Sequence, residues 1–152
     1  MSGREGSLRV LVVGTDDWAV DQAVDSLAAA GHSTLRCHDP GERPFPCNAL
    51  REGRTCPLET GLDVVATVRA RVLAEPGPQE LGVVCGLRAG APLVVAGLAH
   101  RNPFAAWTDR IVDSAGDLVS ACEEVAQIGV AQIGVTQIGL TEPAAEVIDL
   151  RS

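Results

Sequence analysis

The chain contains 152 residues, of which 46% are hydrophobic, and its formal net charge is −8. A chain of this length fits one domain with a sizeable core. With this acidic balance and only two Phe, two Trp and no Tyr, no nucleic-acid partner is expected. No apolar run approaches the roughly 18 residues of a membrane span, and residues 1–7 lack the apolar core of a signal peptide. We therefore expect a cytoplasmic protein that does not bind membranes.

All twelve cationic residues are arginines. The absence of lysine excludes a Schiff-base enzyme and a Walker A nucleotide site, because both need a lysine amine. Arginine in place of lysine, together with much Ala, Gly and Val, is typical of a GC-rich genome and suggests a bacterial source.

The first predicted element is the short apolar run Val10–Val13, which Gly14 ends. A run of this kind indicates a strand that is buried on both faces of a parallel sheet. A polar turn then opens a helix over about Trp18 to Ala30, for which Asp16 or Asp17 is the predicted N-cap.

The alternation of strand and helix continues along the chain. Further strands are predicted at 33–38, 62–68, 93–96 and 110–112, and further helices at 78–89 and 117–127. Three prolines in the region 41–61 predict an ordered loop, with one helical turn near 49–51, in place of the second crossover helix. The pattern predicts an α/β fold with a doubly wound, mainly parallel five-stranded sheet, in the order 2-1-3-4-5.

Helical spacing and position along the chain also predict which side chains face inward. On the helix at 78–89, one inward side is expected to carry Leu81, Val84, Cys85 and Arg88. Cys122 on the last helix is also expected to face the core. His32 is expected at a helix end that faces solvent.

We divide the chain into a flexible N-terminus (1–7), one α/β domain (8–127) and a C-terminal tail (128–152). Three five-residue repeats, each with Gln-Ile-Gly at its centre, span 126–140 and place isoleucines at Ile128, Ile133 and Ile138. A period of five matches neither a helix nor a strand, so a poorly ordered extension is expected. Docking of this apolar tail onto a partner is the alternative.

Ligands of open α/β sheets bind outside the carboxyl ends of the strands. Eight residues are predicted to reach that edge and form the candidate binding site: Thr15, Asp16, Asp17, Arg69, Arg71, His100, Arg101 and Asn102. A small molecule or a protein partner is the expected ligand, and the absence of Gly-x-Gly-x-x-Gly after the first strand argues against a dinucleotide. No catalytic triad can be assembled by spacing, so no catalytic residue is named and enzymatic activity stays open.

Two of these candidates, Asp16 and Asp17, admit two interpretations. Paired carboxylates suit Mg²⁺, which prefers oxygen ligands. The alternative is that they stabilise the first turn of the helix and pair with Arg69.

The octapeptide Val-Leu-Val-Val-Gly-Thr-Asp-Asp at 10–17, followed by a helix, resembles the start of a response-regulator receiver domain. The resemblance extends over about residues 8–127 and implies a flavodoxin-like α/β fold with Mg²⁺ at the paired acids. Receivers carry a phosphoacceptor Asp at the end of the third strand, where this chain has Val68-Arg69, and a Lys after the fifth strand, which this chain lacks. The resemblance therefore implies a degenerate receiver, a non-catalytic regulatory domain.

A second candidate constellation lies in or beside the Pro-rich loop, where Cys37, Cys47 and Cys56 occur and His38 adjoins the first. Thiolate and imidazole ligands suit Zn²⁺ or an iron–sulfur cluster, although no close Cys-x-x-Cys pair is present. A redox disulfide between Cys47 and Cys56 and a set of unrelated reduced thiols are the other interpretations. A metal-binding or thiol-redox protein is thus the alternative function.

Overall fold

The computed structural model describes residues 6–38, 43, 47–51, 53, 55–70, 77–97, 101–114 and 116–127. The strands and helices are β1 (Arg9–Gly14), α1 (Asp17–Ala29), β2 (Ser33–Leu35), β3 (Val64–Val68), α2 (Leu81–Arg88), β4 (Leu93–Ala96), β5 (Arg110–Val112) and α3 (116–127). Short 3₁₀ turns occur at Asn48–Leu50, Pro57–Thr60, Pro78–Glu80 and Ala105–Trp107. The predicted C-terminal tail (128–152), with Ile128, Ile133 and Ile138 of its repeats, lies outside these ranges.

The five strands form one sheet in the order β2-β1-β3-β4-β5, and all four pairings are parallel. This confirms the α/β fold and the strand order expected from the sequence. Val12 lies opposite Ala66, which lies opposite Val94, so the three inner strands are aligned across the sheet. The side chains of Val10–Val13 are at most 4% exposed, as expected for a strand covered on both faces.

The alternating side chains of β1 enter two separate cores. Val10 and Val12 pack on the face that α1 and α3 cover, in one cluster with Leu27 and Leu118. Leu11 and Val13 pack on the opposite face, with Val83 of α2 and Phe104. The short second strand ends at Leu35, so the next residues leave the sheet at its β2 edge. Two of the 3₁₀ turns lie between β2 and β3, and the turn at Asn48–Leu50 occurs where one helical turn was expected.

The predicted inward side of α2 was wrong, because the helix packs through its small residues. Its buried residues are Gly82, Val83 and Gly86, whereas Leu81 and Val84 are 46% and 48% exposed. A Cβ at Gly82 would lie 2.8 Å from the Cys37 sulfur and 2.9 Å from Val13 Cγ1. The glycines let the helix backbone approach the sheet more closely than larger side chains permit.

Two single-residue predictions also need correction. Cys85 is exposed, because it shares the outer side of α2 with Val84. His32 is buried at 7% exposure and links three segments of the chain. Its Nδ1 accepts a hydrogen bond from the Leu8 N–H at 3.0 Å, so Nε2 carries the proton and donates to Glu123 Oε2 at 2.8 Å. Cys122 is buried, as predicted.

In the part of the chain that the structure describes, no helix combines the length and the apolar character needed to cross a membrane.

Candidate functional site

The carboxyl end of β1 is shaped by Gly14, which lies against the neighbouring strand. A Cβ at this position would stand 2.5 Å from the Val68 carbonyl oxygen and 2.8 Å from Val20 Cγ2, so a larger residue would push the strands apart. Asp16 is the N-cap residue of α1, as predicted, and its carbonyl accepts hydrogen bonds from Ala19 and Val20 N–H at 3.1 Å. Its side chain makes no capping hydrogen bond.

The predicted ligand residue at the end of β3, Arg69, is engaged in an internal ion pair. Its Nη2 lies 2.7 Å from Glu80 Oε1 and its Nε lies 2.8 Å from Glu80 Oε2, and both side chains are 0% exposed. Each carboxylate oxygen accepts a second hydrogen bond, Oε1 from Gly77 N–H at 2.9 Å and Oε2 from the Thr67 hydroxyl at 3.3 Å. Four donors therefore satisfy the buried carboxylate, which is the arrangement that a buried charge requires.

This Arg69–Glu80 pair closes the switch point between β1 and β3, where the sequence places a ligand. The turn that carries Glu80 covers the end of β1, since a Cβ at Gly77 would lie 3.4 Å from Thr15 Cγ2. On the other side Gly97, with a φ of +88°, approaches the Arg69 carbonyl so closely that a side chain would collide with it. The switch point is thus filled by residues of the chain itself.

An open cleft lies beside the switch point, between the carboxyl ends of β1 and β2. The cleft is shallow, and most of the roughly 260 Å³ of empty space around its lining residues is open solvent. The residues that line it are Val12, Val13, Gly14, Asp17, Val20, Arg36, Cys37 and His38. Asp17 is exposed in the first turn of α1, and Arg36 Nη2 forms an ion pair with Asp21 Oδ1 at 2.6 Å. The cleft thus brings Asp17 of the predicted ligand set together with Cys37 and His38 of the predicted metal set.

The other predicted ligand residues are scattered or lie outside the described ranges. The Thr15 hydroxyl lies 3.4 Å from Asp16 Oδ2, beside the closed switch point. Arg101 is exposed, whereas Asn102 is 3% exposed and uses its Oδ1 to accept from Phe104 N–H at 2.9 Å. The Asn102 Nδ2 has no hydrogen-bond partner among the described residues.

Arg71 and His100 lie outside the described residues.

Cys37 of the predicted thiol set packs on the α2 side of the sheet. The Cys37 carbonyl accepts a hydrogen bond from Asn48 N–H at 2.7 Å, which brings Cys47 beside it. Burial raises the pKa of the Cys37 thiol to about 12, and charge repulsion from Cys47, Cys85 and Cys56 adds to this rise. Cys85 was not part of the predicted set.

The thiol set does not form a metal centre among the described residues, where no group of three His, Cys, Asp or Glu side chains could hold an ion. Metal binding by Cys37, His38, Cys47 and Cys56 therefore stays a prediction.

Sequence reasoning missed three residues of this region: Glu80, Gly77 and Arg36. Glu80 follows Gly77 by three positions with Pro78 between them, which is the spacing of a helix N-terminus whose Glu bonds back to the cap N–H. That spacing could have identified the Glu80–Gly77 contact, although it carries no signal for the pairing with Arg69. Arg36 was predicted to lie inside the strand at 33–38, but β2 ends at Leu35, which places Arg36 at the carboxyl edge.

Comparison of the chain with protein-family models, with curated proteins and with solved structures gives no match. The fold and the geometry of the carboxyl edge are therefore the basis for a functional proposal.

Proposed function

We propose that this domain is a non-catalytic regulatory module that binds a small molecule or a protein partner at the cleft between β1 and β2. The burial of Arg69 against Glu80 at the end of β3 is the observation that carries the proposal. In a receiver, which residues 10–17 resemble, this place belongs to the aspartate that accepts the phosphoryl group. A guanidinium cannot accept that group, and the Glu80 carboxylate is buried beneath four donors. This supports a degenerate receiver without phosphotransfer.

The composition of the cleft supports its use for binding. It combines an exposed carboxylate (Asp17), a guanidinium (Arg36), a thiol (Cys37) and an imidazole (His38) beside an apolar floor. A few polar groups around an apolar surface are typical of sites that orient a ligand. The net charge of −8 disfavours a strongly anionic ligand through long-range repulsion. We therefore expect a neutral or cationic group, from a small molecule or from a protein side chain.

The phosphotransfer half of the proposal can be tested with acetyl phosphate and Mg²⁺. The intact mass of the full-length chain should stay unchanged, because Val68-Arg69 stands at the end of β3 in place of an aspartate and the chain has no lysine. A stable gain of one phosphoryl group would contradict the degenerate-receiver interpretation.

The binding half can be tested by amide ¹⁵N–¹H spectra of the full-length chain during titration with a library of small polar fragments. We expect fragment-induced shifts to concentrate at Gly14, Asp17, Arg36, Cys37 and His38. Asp17→Asn should weaken these shifts, while Asp25→Asn, an exposed change on α1 that does not line the cleft, should leave them unaltered. Shifts that concentrate elsewhere, or that respond equally to both substitutions, would place the binding site outside the cleft.

A further inference from the structure

Four of the five cysteines are found near the end of β2 or interact electrostatically with the thiol there. Cys37 follows β2, Cys47 precedes the turn Asn48–Leu50, Cys56 precedes the turn Pro57–Thr60, and Cys85 lies on α2. All three of the other thiols influence Cys37 electrostatically, and Cys47 has the largest influence among them. Cys122 packs in the core on the opposite face. The four thiols therefore share a neighbourhood that the proposed function does not use.

Within this neighbourhood the backbone holds two of the cysteines together. The Asn48 N–H donates to the Cys37 carbonyl over 2.7 Å, and Asn48 directly follows Cys47. With standard covalent geometry, this bond keeps the two Cα atoms within about 7.5 Å of each other. Disulfides span Cα separations of about 4.4–6.8 Å, so this upper bound on the Cα separation exceeds their range by less than about 1 Å.

We propose that Cys37 and Cys47 form a reversible disulfide under oxidising conditions, with Cys47 as the thiol that is oxidised first and Cys37 as the thiol that resolves it. The proposal stands apart from the proposed ligand binding. In a cytoplasmic protein such a bond would be transient, as redox-sensing disulfides are.

The roles of the two thiols follow from their surroundings. Cys37 packs against the backbone of Gly82, so its sulfur is shielded by α2. Because the Cys37 sulfur is held against α2, a peroxide reaches it less easily, which makes it the poorer first nucleophile. Cys37 and Cys47 are both half-buried and adjoin by backbone contact, so the roles rest on the packing of the Cys37 sulfur against α2.

The oxidant required is a hydroperoxide. The Cys47 thiolate attacks the peroxide, the O–O bond breaks, the alcohol or water leaves after taking up a proton, and Cys47 becomes a sulfenic acid. The Cys37 sulfur then attacks the Cys47 sulfur, and the hydroxyl group departs as water with the Cys37 proton. The two thiols have then lost two electrons and two protons, and one S–S bond has formed.

The bond would join the end of β2, which lines the cleft, to the turn Asn48–Leu50. Oxidation would thus fix one wall of the cleft to its neighbouring turn, because the disulfide constrains the two segments to a single separation.

Peptide mapping offers a direct test on the full-length chain. Arg43 is followed by Pro44, so arginine-specific cleavage leaves Cys37 and Cys47 together on the peptide 37–51, whereas Cys56 and Cys85 fall on separate peptides. The reduced protein is treated with one equivalent of hydrogen peroxide, alkylated and cleaved. We expect the main oxidised product to be peptide 37–51 without alkyl groups and lighter by two hydrogens.

Variants assign the bond to its two partners. Cys37→Ser and Cys47→Ser should each abolish the lighter peptide, and Cys37→Ala provides a second change at the packed position. Cys56→Ser and Cys85→Ser should retain it at the wild-type yield. Alkylation of both cysteines on peptide 37–51 after treatment, or a dominant cross-link from that peptide to the one carrying Cys56 or Cys85, would overturn the proposal. One tightly held zinc or iron per chain in the anaerobically purified protein, lost in the Cys47→Ser variant, would overturn it as well.

Discussion

The closed switch point and the open cleft lie side by side at the carboxyl edge of the same sheet. They differ in the solvent exposure of their charged side chains, which are buried at the switch point and at least partly exposed in the cleft. At the switch point the Arg69–Glu80 pair is 0% exposed and its carboxylate is fully hydrogen-bonded. In the cleft Asp17 is exposed, and the Arg36–Asp21 pair is 21% and 53% exposed. A place at which ligands are expected from topology is therefore filled here by an internal ion pair, and the exposed polar side chains lie at the neighbouring strand ends.

The largest effect is expected when one partner of the closed switch point is removed. Arg69→Met leaves the Glu80 carboxylate buried without its cation, which should lower the free energy of unfolding by about 3–5 kcal/mol. The double variant Arg69→Met/Glu80→Leu should recover part of this loss, because no unpaired charge remains. Urea denaturation of the three proteins measures the difference.

The matched control is Arg110→Met, which breaks the ion pair between Arg110 and Glu124. The side chains of these two residues are 49% and 51% exposed. An exposed pair of this kind contributes less than about 1 kcal/mol. Equal losses for Arg69→Met and Arg110→Met would mean that the pair at the switch point is open to solvent.

A smaller loss of stability is expected from a substitution on α2, the helix that follows Glu80. Gly86→Ala on α2 brings a Cβ into the side chain of Val65, and we expect a loss of about 1–3 kcal/mol in the free energy of unfolding. Without a collision, the change would instead gain up to about 1 kcal/mol from helix propensity. Because α2 begins directly after Glu80, its displacement would also disturb the closed switch point.

Gly116→Ala at the start of α3 is the control for Gly86→Ala, since the nearest atom to its new Cβ is the Ser114 hydroxyl at 3.7 Å. Its stability, followed by thermal unfolding, should stay the same or rise slightly. A gain in both variants would show that α2 does not press against the sheet.

The smallest effect is the loss of stability at high pH that the Cys37 thiol at the cleft and the Cys122 thiol in the core should cause. Burial raises the pKa of the Cys37 and Cys122 thiols from 9.0 to about 12. Below pH 9 both the folded and the unfolded chain hold these protons, so the two buried thiols make their full contribution to the stability of the folded chain. Above pH 9 the unfolded chain releases them first, and the contribution is lost progressively up to about pH 12. From pH 8 to pH 10 we expect each thiol to remove roughly 1.4 kcal/mol of stability.

Urea denaturation at the two pH values measures this loss in a favourable window, because the chain has no Lys and no Tyr. Cys122→Ala should abolish the part of this pH-dependent loss that Cys122 causes, and Cys37→Ala should abolish the part that Cys37 causes. A full wild-type loss in Cys37→Ala would mean that the Cys37 sulfur at the cleft is as hydrated in the folded chain as in the unfolded one.

The sheet could be predicted from the sequence because two of its inner strands, β1 and β4, contain uninterrupted apolar runs. Val10–Val13 and Leu93–Ala96 have no competing interpretation as exposed helices or loops, and parallel crossovers then restrict the strand order. The packing of α2 could not be predicted in the same way. Its bulky residues suggested one face, but Gly82 and Gly86 permit a closer contact that buries the other.

The site was harder to predict for a related reason. The sequence places Arg69 at the carboxyl edge, where an exposed guanidinium would bind ligands, and the burial of that side chain depends on Glu80 eleven positions later. Likewise, His32 follows a helix-ending glycine and looks like a surface residue, but its burial depends on Glu123 of α3 and on the Leu8 amide. Interaction partners that are distant in the chain leave no local periodic signal in the sequence.

The difference between the two regions can be measured most directly at the arginine side chains. In the closed switch point the Arg69 Nε–H donates to Glu80 over 2.8 Å with both side chains shielded from water, whereas Arg36 at the cleft is partly exposed. After transfer of ¹⁵N-labelled protein into D₂O, the Nε–H signal of Arg69 should decay at least about tenfold more slowly than that of Arg36. Equal decay of the two signals would contradict the closure of the switch point by the Arg69–Glu80 pair.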